Sequence, residues 1–412
     1  MRLILERLEG LSDRRFRWLV FFSALALRLA CLIWWEAGDY TEVLGYDRYV
    51  TVAQRWLGWL PPAVDVTHPP VYTLWIAAVF GVIRSPSFLV IQAANVLFSC
   101  AICLLVGLWA ERAVSKTVGR LAALWCVFDP LLVYFAPQLQ SEPFFVFLEM
   151  LFFLAVLRIG TRPATATSVL MVGLFGGVLT MTRSAFALYP FFLCAAILLA
   201  ERGRGRAWLW LVVFVGWGVP ISLWTTRNYV RYGEFVPLTI NSGWSRWEGF
   251  TLDRDTVRRR PEEMMAELKR VGIDTTGPDR SVRAADDHFK AKWSGYLREH
   301  PWESAKIIAG KALLYWRPMP YDPHQLSIRL VLAGYFTCLF ILALFGAWTL
   351  RSRAAVFAPV FGLIVYLSLL HSVFFTSLRY RSPLEPFLCV LAAAGFHALL
   401  TRRGAGDASP SD

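Results

Sequence analysis

The chain has 412 residues, of which 56% are hydrophobic and only 17% charged, with a mean hydropathy of +0.47. So little charge cannot cover the surface of a soluble domain this long, which excludes the soluble classes. The net charge of +12 invites a nucleic-acid reading, but the excess sits in short loops between apolar runs. That is the positive-inside pattern of a membrane protein, so nucleic acid is excluded as a partner.

Apolar runs recur at the length a hydrocarbon core about 30 Å thick demands. They predict crossing helices at 18–36, 87–110, 120–136, 142–158, 167–183, 185–200, 206–224, 328–350, 354–375 and 380–400. No small-residue cleavage site follows the first run, so it reads as a retained helix and not a removed signal. The basic loops carry Arg14, Arg15 and Arg17; Arg112, Lys116 and Arg120; Arg158 and Arg162; Arg202, Arg204 and Arg206; Arg351 and Arg353; and Arg402 and Arg403. Placed in the cytoplasm, they give ten crossings and leave 37–86, 137–141, 225–327 and 376–381 on the outer side. The fold class is all-α: a polytopic integral membrane protein with about 10–11 transmembrane helices, multi-pass in the plasma (inner) membrane. Its active site is expected to face the exterior or periplasm.

One segment disturbs the count. Pro69 to Arg84 is apolar and helical in pattern, but if it crossed, every later basic loop would face outward. Either it is re-entrant or interfacial, or Phe88 to Ala110 is not a single crossing; the basic loops favour keeping the outer-face assignment. Before it, residues 45–57 place Tyr46, Val50, Ala53 and Leu57 on one face, the spacing of an amphipathic surface helix. The chain divides into a transmembrane module over 1–224 with a first outer loop at 37–68, an outer helical cap at 225–327, C-terminal helices at 328–400 and a tail at 401–412. In the cap, Pro261 with Glu262 and Glu263 starts a helix, 281–298 forms another, and His300-Pro301 separates it from an apolar helix over 302–316. The seven cysteines lie in apolar runs as small hydrophobes; Cys100 and Cys103 have no second pair of soft ligands beside them.

Ionisable groups at membrane helix ends cost free energy unless solvated or paired, so they carry the functional signal. The outer loops offer Asp39, Glu42, Asp47, Asp65 and His68, then Glu142 in Ser141-Glu142-Pro143. Asp47 and Glu142 each open a helix, where a carboxylate also serves as a cap. The cations are Arg183, Arg227 beside Asn228, and Arg379 with Arg381. Arginine grips a phosphate with two parallel hydrogen bonds; snorkelling to the interface is the plainer alternative. No Gly-rich nucleotide loop, His-Glu-x-x-His zinc motif or Gly-x-Ser-x-Gly elbow occurs. An enzyme facing away from cytoplasmic nucleotides must draw an activated group from a lipid carrier, which points to a polyprenyl-phosphate donor.

The motifs Gly45-Tyr46-Asp47-Arg48-Tyr49, Thr67-His68-Pro69-Pro70, Ser141-Glu142-Pro143, Thr182-Arg183, Thr226-Arg227-Asn228 and Arg379-Tyr380-Arg381-Ser382-Pro383 fall in order across nearly the whole chain. In that order they resemble the GT-C fold glycosyltransferases, in particular the bacterial branch of family 39, related to protein O-mannosyltransferases and lipid A aminoarabinose transferases. The resemblance implies an inverting transfer of a sugar from a polyprenyl phosphate to an extra-cytoplasmic lipid, glycan or protein acceptor. It implies Asp47 as general base or metal-ordering carboxylate, Glu142 as its assistant, and His68, Arg183, Arg379 and Arg381 at the donor phosphate. Asp39, Glu42, Tyr49, Arg227 and Asn228 are secondary substrate-binding candidates. Relatives often carry paired acids where Arg48 follows Asp47 here, which leaves a divalent metal open, with Asp47 as its ligand if there is one. A lipid-linked saccharide flippase would place ionisable groups near the membrane midplane. An O-antigen ligase or polymerase would draw on His288, His300 and His324, and a non-catalytic scaffold leaves the ordered acids unexplained.

Overall fold

The structure, a computed structural model, describes residues 10–37, 47–61, 66–161, 165–201, 208–251, 261–273, 280–319 and 326–406. Asp39, Glu42, Asp65, His324 and the basic residues Arg162, Arg202, Arg204 and Arg206 lie outside them, as do the side chains of Asp47 and Arg48. The α-helices are α1 Asp13–Ala37, α2 Asp47–Trp56, α3 Pro70–Ile83, α4 Phe88–Ala113, α5 Lys116–Phe128, α6 Pro130–Tyr134, α7 Glu142–Thr161, α8 Ala166–Thr182 and α9 Tyr189–Glu201. They continue as α10 Trp208–Tyr232, α11 Ser242–Gly249, α12 Pro261–Arg270, α13 Arg280–Glu299, α14 Pro301–Tyr315, α15 Leu326–Thr349, α16 Ala354–Val373 and α17 Glu385–Gly406. Each of the ten expected crossings falls on a helix (α1, α4, α5, α7 to α10 and α15 to α17), and the all-α polytopic class holds. Among the described residues, α1, α4, α7, α15 and α16 supply the five helical segments long and apolar enough to cross a membrane unaided.

The loops sort the bundle into two ends. At the basic end, Arg120 donates to the Asp13 carboxylate and the Leu11 carbonyl, both at 2.7 Å. There too, Arg353 donates to the carbonyls of Ala113 (2.8 Å) and Val114 (2.9 Å). At the other end Glu36, near the close of α1, accepts from Gln92 near the start of α4 at 2.7 Å. The chain therefore leaves α1 and enters α4 at the same end, and α3 between them does not traverse. Its 14 residues rise only about 21 Å, short of a hydrocarbon core about 30 Å thick. The parity expected from the charges follows.

Lipid gives helices no hydrophobic reason to associate, so close backbone approach takes over. Between α15 and α17, a Cβ on Gly346 would lie 1.8 Å from the Leu391 carbonyl oxygen. Between α8 and α10, one on Gly176 would meet the Trp217 ring at 2.1 Å, and the Trp217 indole donates to Thr180 at 2.8 Å. Arg28, fully buried in α1, spends its donors on Ser99 (2.7 Å), the Val127 and Cys126 carbonyls (3.1 and 3.3 Å) and Cys103 (3.4 Å). It staples α1 to α4 and α5.

Helices α11 to α14 form the cap. The Asp286 carboxylate accepts from the Gly243 and Trp244 amides (2.6 and 3.2 Å), anchoring the positive N-terminal end of α11. The cap meets the bundle where Gly249 lies against Phe375 and where the Lys311 ammonium donates to the Phe374 carbonyl. Burial pushes that ammonium down to about 7. Glu267 on α12 accepts from His288 (2.9 Å) and Lys292 (2.5 Å) on α13. Burial pushes its carboxyl up, but these two donors outweigh it and hold the carboxyl below the ordinary value.

Gly346→Ala should cost about 1–3 kcal/mol in detergent thermal unfolding, whereas Gly334→Ala on the same helix, with open space at its Cβ, should cost nothing. The depressed Glu267 carboxyl stabilises the folded cap above the ordinary carboxylate pKa and loses that contribution as pH falls through its folded value. Hydrogen exchange of α12 should therefore accelerate selectively below about pH 4.5, and Glu267→Gln should show the fast rate already at pH 7.

Candidate active site

Three separate parts of the chain converge on one carboxylate. Glu142 opens α7, where the Ser141 carbonyl accepts the Phe145 amide at 2.8 Å, and its side chain is 1% exposed. Arg183 follows the last residue of α8, and its Nη1 donates to Glu142 Oε1 at 2.8 Å. Arg379 stands on the 3-10 turn Leu378–Arg381 between α16 and α17. Its Nε donates to Glu142 Oε1 and its Nη2 to Oε2 at 3.2 Å, a two-pronged grip. Burial works against the charge on Arg379, but Glu142 outweighs it, and the guanidinium holds its proton more firmly than usual. Two guanidiniums share one carboxylate, so the cluster carries an excess positive charge. Arg183 is 10% exposed and Arg379 29%, so the open edge of the cluster belongs mainly to Arg379.

The first loop is built against this cluster. Tyr49 on α2 packs edge-on against His68 (4.9 Å) and Tyr72 (5.1 Å), and its phenol lies beside Ser141, Arg379 and Glu142. Burial raises that phenol above its ordinary value, with Arg379 working against it. Asn95 donates to the Tyr72 hydroxyl (3.0 Å) and the Gln138 carbonyl (2.7 Å), tying α3 and α4 to the strap that leads into Glu142. His68 is half-buried with its Nδ1 3.0 Å from the Thr67 hydroxyl. Asp47 opens α2, two residues before Tyr49.

Arg381 does not join this cluster. It is fully buried, donates to Glu385 at 2.6 Å and to the Arg317 carbonyl at 3.0 Å, and lies over the rings of Phe336 and Phe340. The expected contact with the donor phosphate is therefore corrected. A 3-10 turn has about three residues per turn, so side chains two apart diverge by about 120° and cannot share a face. Arg227 and Asn228 also lie apart: Asn228 is buried and donates to the Val236 carbonyl at 3.0 Å. Arg227 donates to Asn228 (2.8 Å) and covers Trp224 and Tyr232, bracing the chain where it leaves α10 for the cap.

A residue the motifs do not mark is His371, at the end of α16, stacked between Tyr315 and Tyr380. With Arg183, Phe145, Phe186 and Tyr380 it lines a recess that encloses about 10 Å³, room for about one water. Its signal in the sequence is faint: one ionisable residue near the end of an apolar run, eight positions before Arg379. Among the described residues no group of three His, Cys, Asp or Glu side chains is arranged to hold a metal. Both Glu142 oxygens are engaged by arginines, and the side chain of Asp47, the expected ligand of any metal, lies outside the described residues.

The same fold occurs in solved structures of an oligosaccharyltransferase from Archaeoglobus fulgidus. The AglB complex with an inhibitory peptide and a dolichol-phosphate matches at a TM-score of 0.56 and 10% identity, over 97% of this chain and 52% of that one. The form tethered to an acceptor peptide with the NVT sequon matches at 0.56 and 11% identity, over 95% and 50%. The apo form matches at 0.56 and 14% identity, over 96% and 52%. The chain thus spans about half the length of these structures, and at such identity the likeness establishes the fold, the GT-C type. No protein-family profile and no curated protein matches the sequence.

Arg381→Met should cost about 3–5 kcal/mol in thermal unfolding, because it strands the Glu385 carboxyl in the bundle. Adding Glu385→Leu should recover most of that loss.

Proposed function

We propose that the chain is a membrane glycosyltransferase that takes a sugar from a polyprenyl-phosphate donor and passes it, with inversion, to a hydroxyl acceptor outside the cytoplasm. The observation that carries this reading is the surplus guanidinium charge at Glu142, with the open edge of Arg379 facing out. A phosphate is the anion that two arginines on one wall are shaped to bind. The fold shared with a protein solved in complex with a dolichol-phosphate supports a lipid-linked donor. The ordered motifs favour the family 39 branch.

In this reading Asp47, at the start of α2 two residues before Tyr49, takes the proton from the acceptor hydroxyl. The acceptor oxygen forms its bond to the anomeric carbon while the anomeric C–O bond to phosphate breaks, and the phosphate leaves with the electron pair. Arg183 and Arg379 stabilise the charge that grows on the phosphate. Glu142, held by both, orients them instead of serving as a base, and His68 with Tyr49 flanks the donor. No step is routed through a metal. The active site would face the exterior of the plasma membrane, opposite the basic end. The flippase alternative finds little support in Arg28, whose donors are engaged by α4, α5 and the Ala24 carbonyl of its own helix.

The test uses purified protein in detergent with synthetic polyprenyl-phosphate sugars. Asp47→Asn and Arg379→Gln should each lower transfer about 10²–10³-fold while Asp65→Asn keeps it. Wild-type rates in Asp47→Asn would remove the base assignment, and movement of intact lipid across vesicles without sugar release would replace the enzyme with a flippase.

A further inference from the structure

The recess beside Arg183 holds a histidine whose hydrogen bonding is half complete. His371 Nδ1 lies 3.2 Å from the Phe375 carbonyl oxygen. A carbonyl only accepts, so in the neutral ring Nδ1 carries the hydrogen and Nε2 presents a lone pair. That Nε2 has no partner among the described residues, and the ring edge borders the recess shared with Arg183. The ring is fixed in place. Tyr380 stacks on one face (4.7 Å, 6°) and Tyr315 on the other (5.4 Å, 14°). The turn after it is clamped by the Lys311 ammonium on the Phe374 carbonyl and by Thr376, whose hydroxyl donates to the His371 carbonyl at 2.5 Å. A polar ring stacked between two tyrosines, with one nitrogen unpartnered among the described residues and Arg183 lining the same recess, is positioned as an acceptor.

The chemistry selects what it accepts. A phosphate oxygen has no hydrogen to offer a lone pair, so the phosphate belongs to the arginines. A hydroxyl suits both neighbours: its hydrogen goes to Nε2 while its oxygen accepts from Arg183. The recess has room for about one such group. We propose that His371 recognises the donor sugar, its Nε2 accepting a hydrogen bond from one sugar hydroxyl while Arg183 and Arg379 hold the adjoining phosphate. This assignment rests on the glycosyltransferase reading above and adds to it the residue that selects the sugar.

The experiment compares wild type, His371→Phe and His371→Gln on polyprenyl-phosphate mannose, glucose and galactose and on every monodeoxy analogue of the donor that wild type uses best. Release of sugar to water is measured alongside transfer. Wild type should lose about 10- to 100-fold in kcat/KM on one monodeoxy donor, as expected when one buried hydrogen-bonding group is left unpaired. His371→Phe, which keeps the ring stack, should lose as much on the parent donor and treat parent and deoxy donors within about twofold of each other, the non-additivity of a shared contact. His371→Gln, with an amide oxygen near the Nε2 position, should restore part of the discrimination. Retained discrimination in His371→Phe on every deoxy donor would overturn the proposal and assign the recess to water. So would a loss confined to transfer with hydrolysis unchanged, which would assign the hydroxyl to the acceptor. If no variant folds, a wild-type panel in which every deoxy donor reacts like its parent is enough to overturn it. Wild type that releases sugar from none of these donors, nor from polyprenyl-phosphate pentose and amino-sugar donors, would instead fail the glycosyltransferase reading itself.

Discussion

The Glu142 carboxylate, shared by Arg183 and Arg379, is the interaction on which the rest of the site depends. Two guanidiniums against one wall of a membrane protein repel each other, and in a poorly screened setting that repulsion amounts to a few kcal/mol. One buried carboxylate between them reverses the sign of the local energy while leaving the sum positive. Each partner is costly alone: a buried acid without arginines would take up a proton, and the arginines without the acid would swing toward water. Held together, they fix the start of α7, the end of α8 and the turn between α16 and α17 at one point. Tyr49 and the first loop then have a rigid wall to pack against.

Lengths and charges in the sequence were enough to locate the ten helices expected to cross and the amphipathic α2, but they left open whether α3 traverses. These are local properties: run length, apolar spacing, a basic loop. The Glu142 cluster is legible only in part, because its arginines come from 41 and 237 residues away. Sequence marks each group at a helix end but says nothing of which ones meet. Arg381 shows the cost of that gap. Next to Arg379 but for one residue, it looks equivalent, and the 3-10 geometry of the turn sends it to Glu385 instead. Asn228 and Arg227 mislead for a related reason: a polar pair at a helix end serves a carbonyl of the following loop as readily as a ligand. His371 carries no motif, and only the rings that clasp it give it meaning.

The cap and the bundle meet at the same short stretch that holds His371. Gly249 and Lys311, from two cap helices, both touch the Phe374–Phe375 turn that closes α16. The arrangement makes the cap a second support for the site and not a separate module. The cap combines a small apolar core of Trp247, Met264, Leu268, Ala285 and Phe289 with ion pairs and an anchored helix end, whereas the bundle adds close backbone contact at glycines to a much larger apolar core. The two join at one turn, beside the proposed sugar pocket.

The wide separation of Glu142 and Arg379 along the chain has a consequence for biogenesis. A chain synthesised from its N-terminus completes α7 and α8 early, and Glu142 with Arg183 then forms a neutral pair. Arg379 arrives only with the turn between the last two helices, long after the first loop, α3 and the cap have been made. The surplus charge exists from that moment on. A nascent chain that stops before Arg379 therefore carries the pocket walls without the surplus positive charge. The site thus acquires its surplus positive charge only once the turn between α16 and α17 has been made.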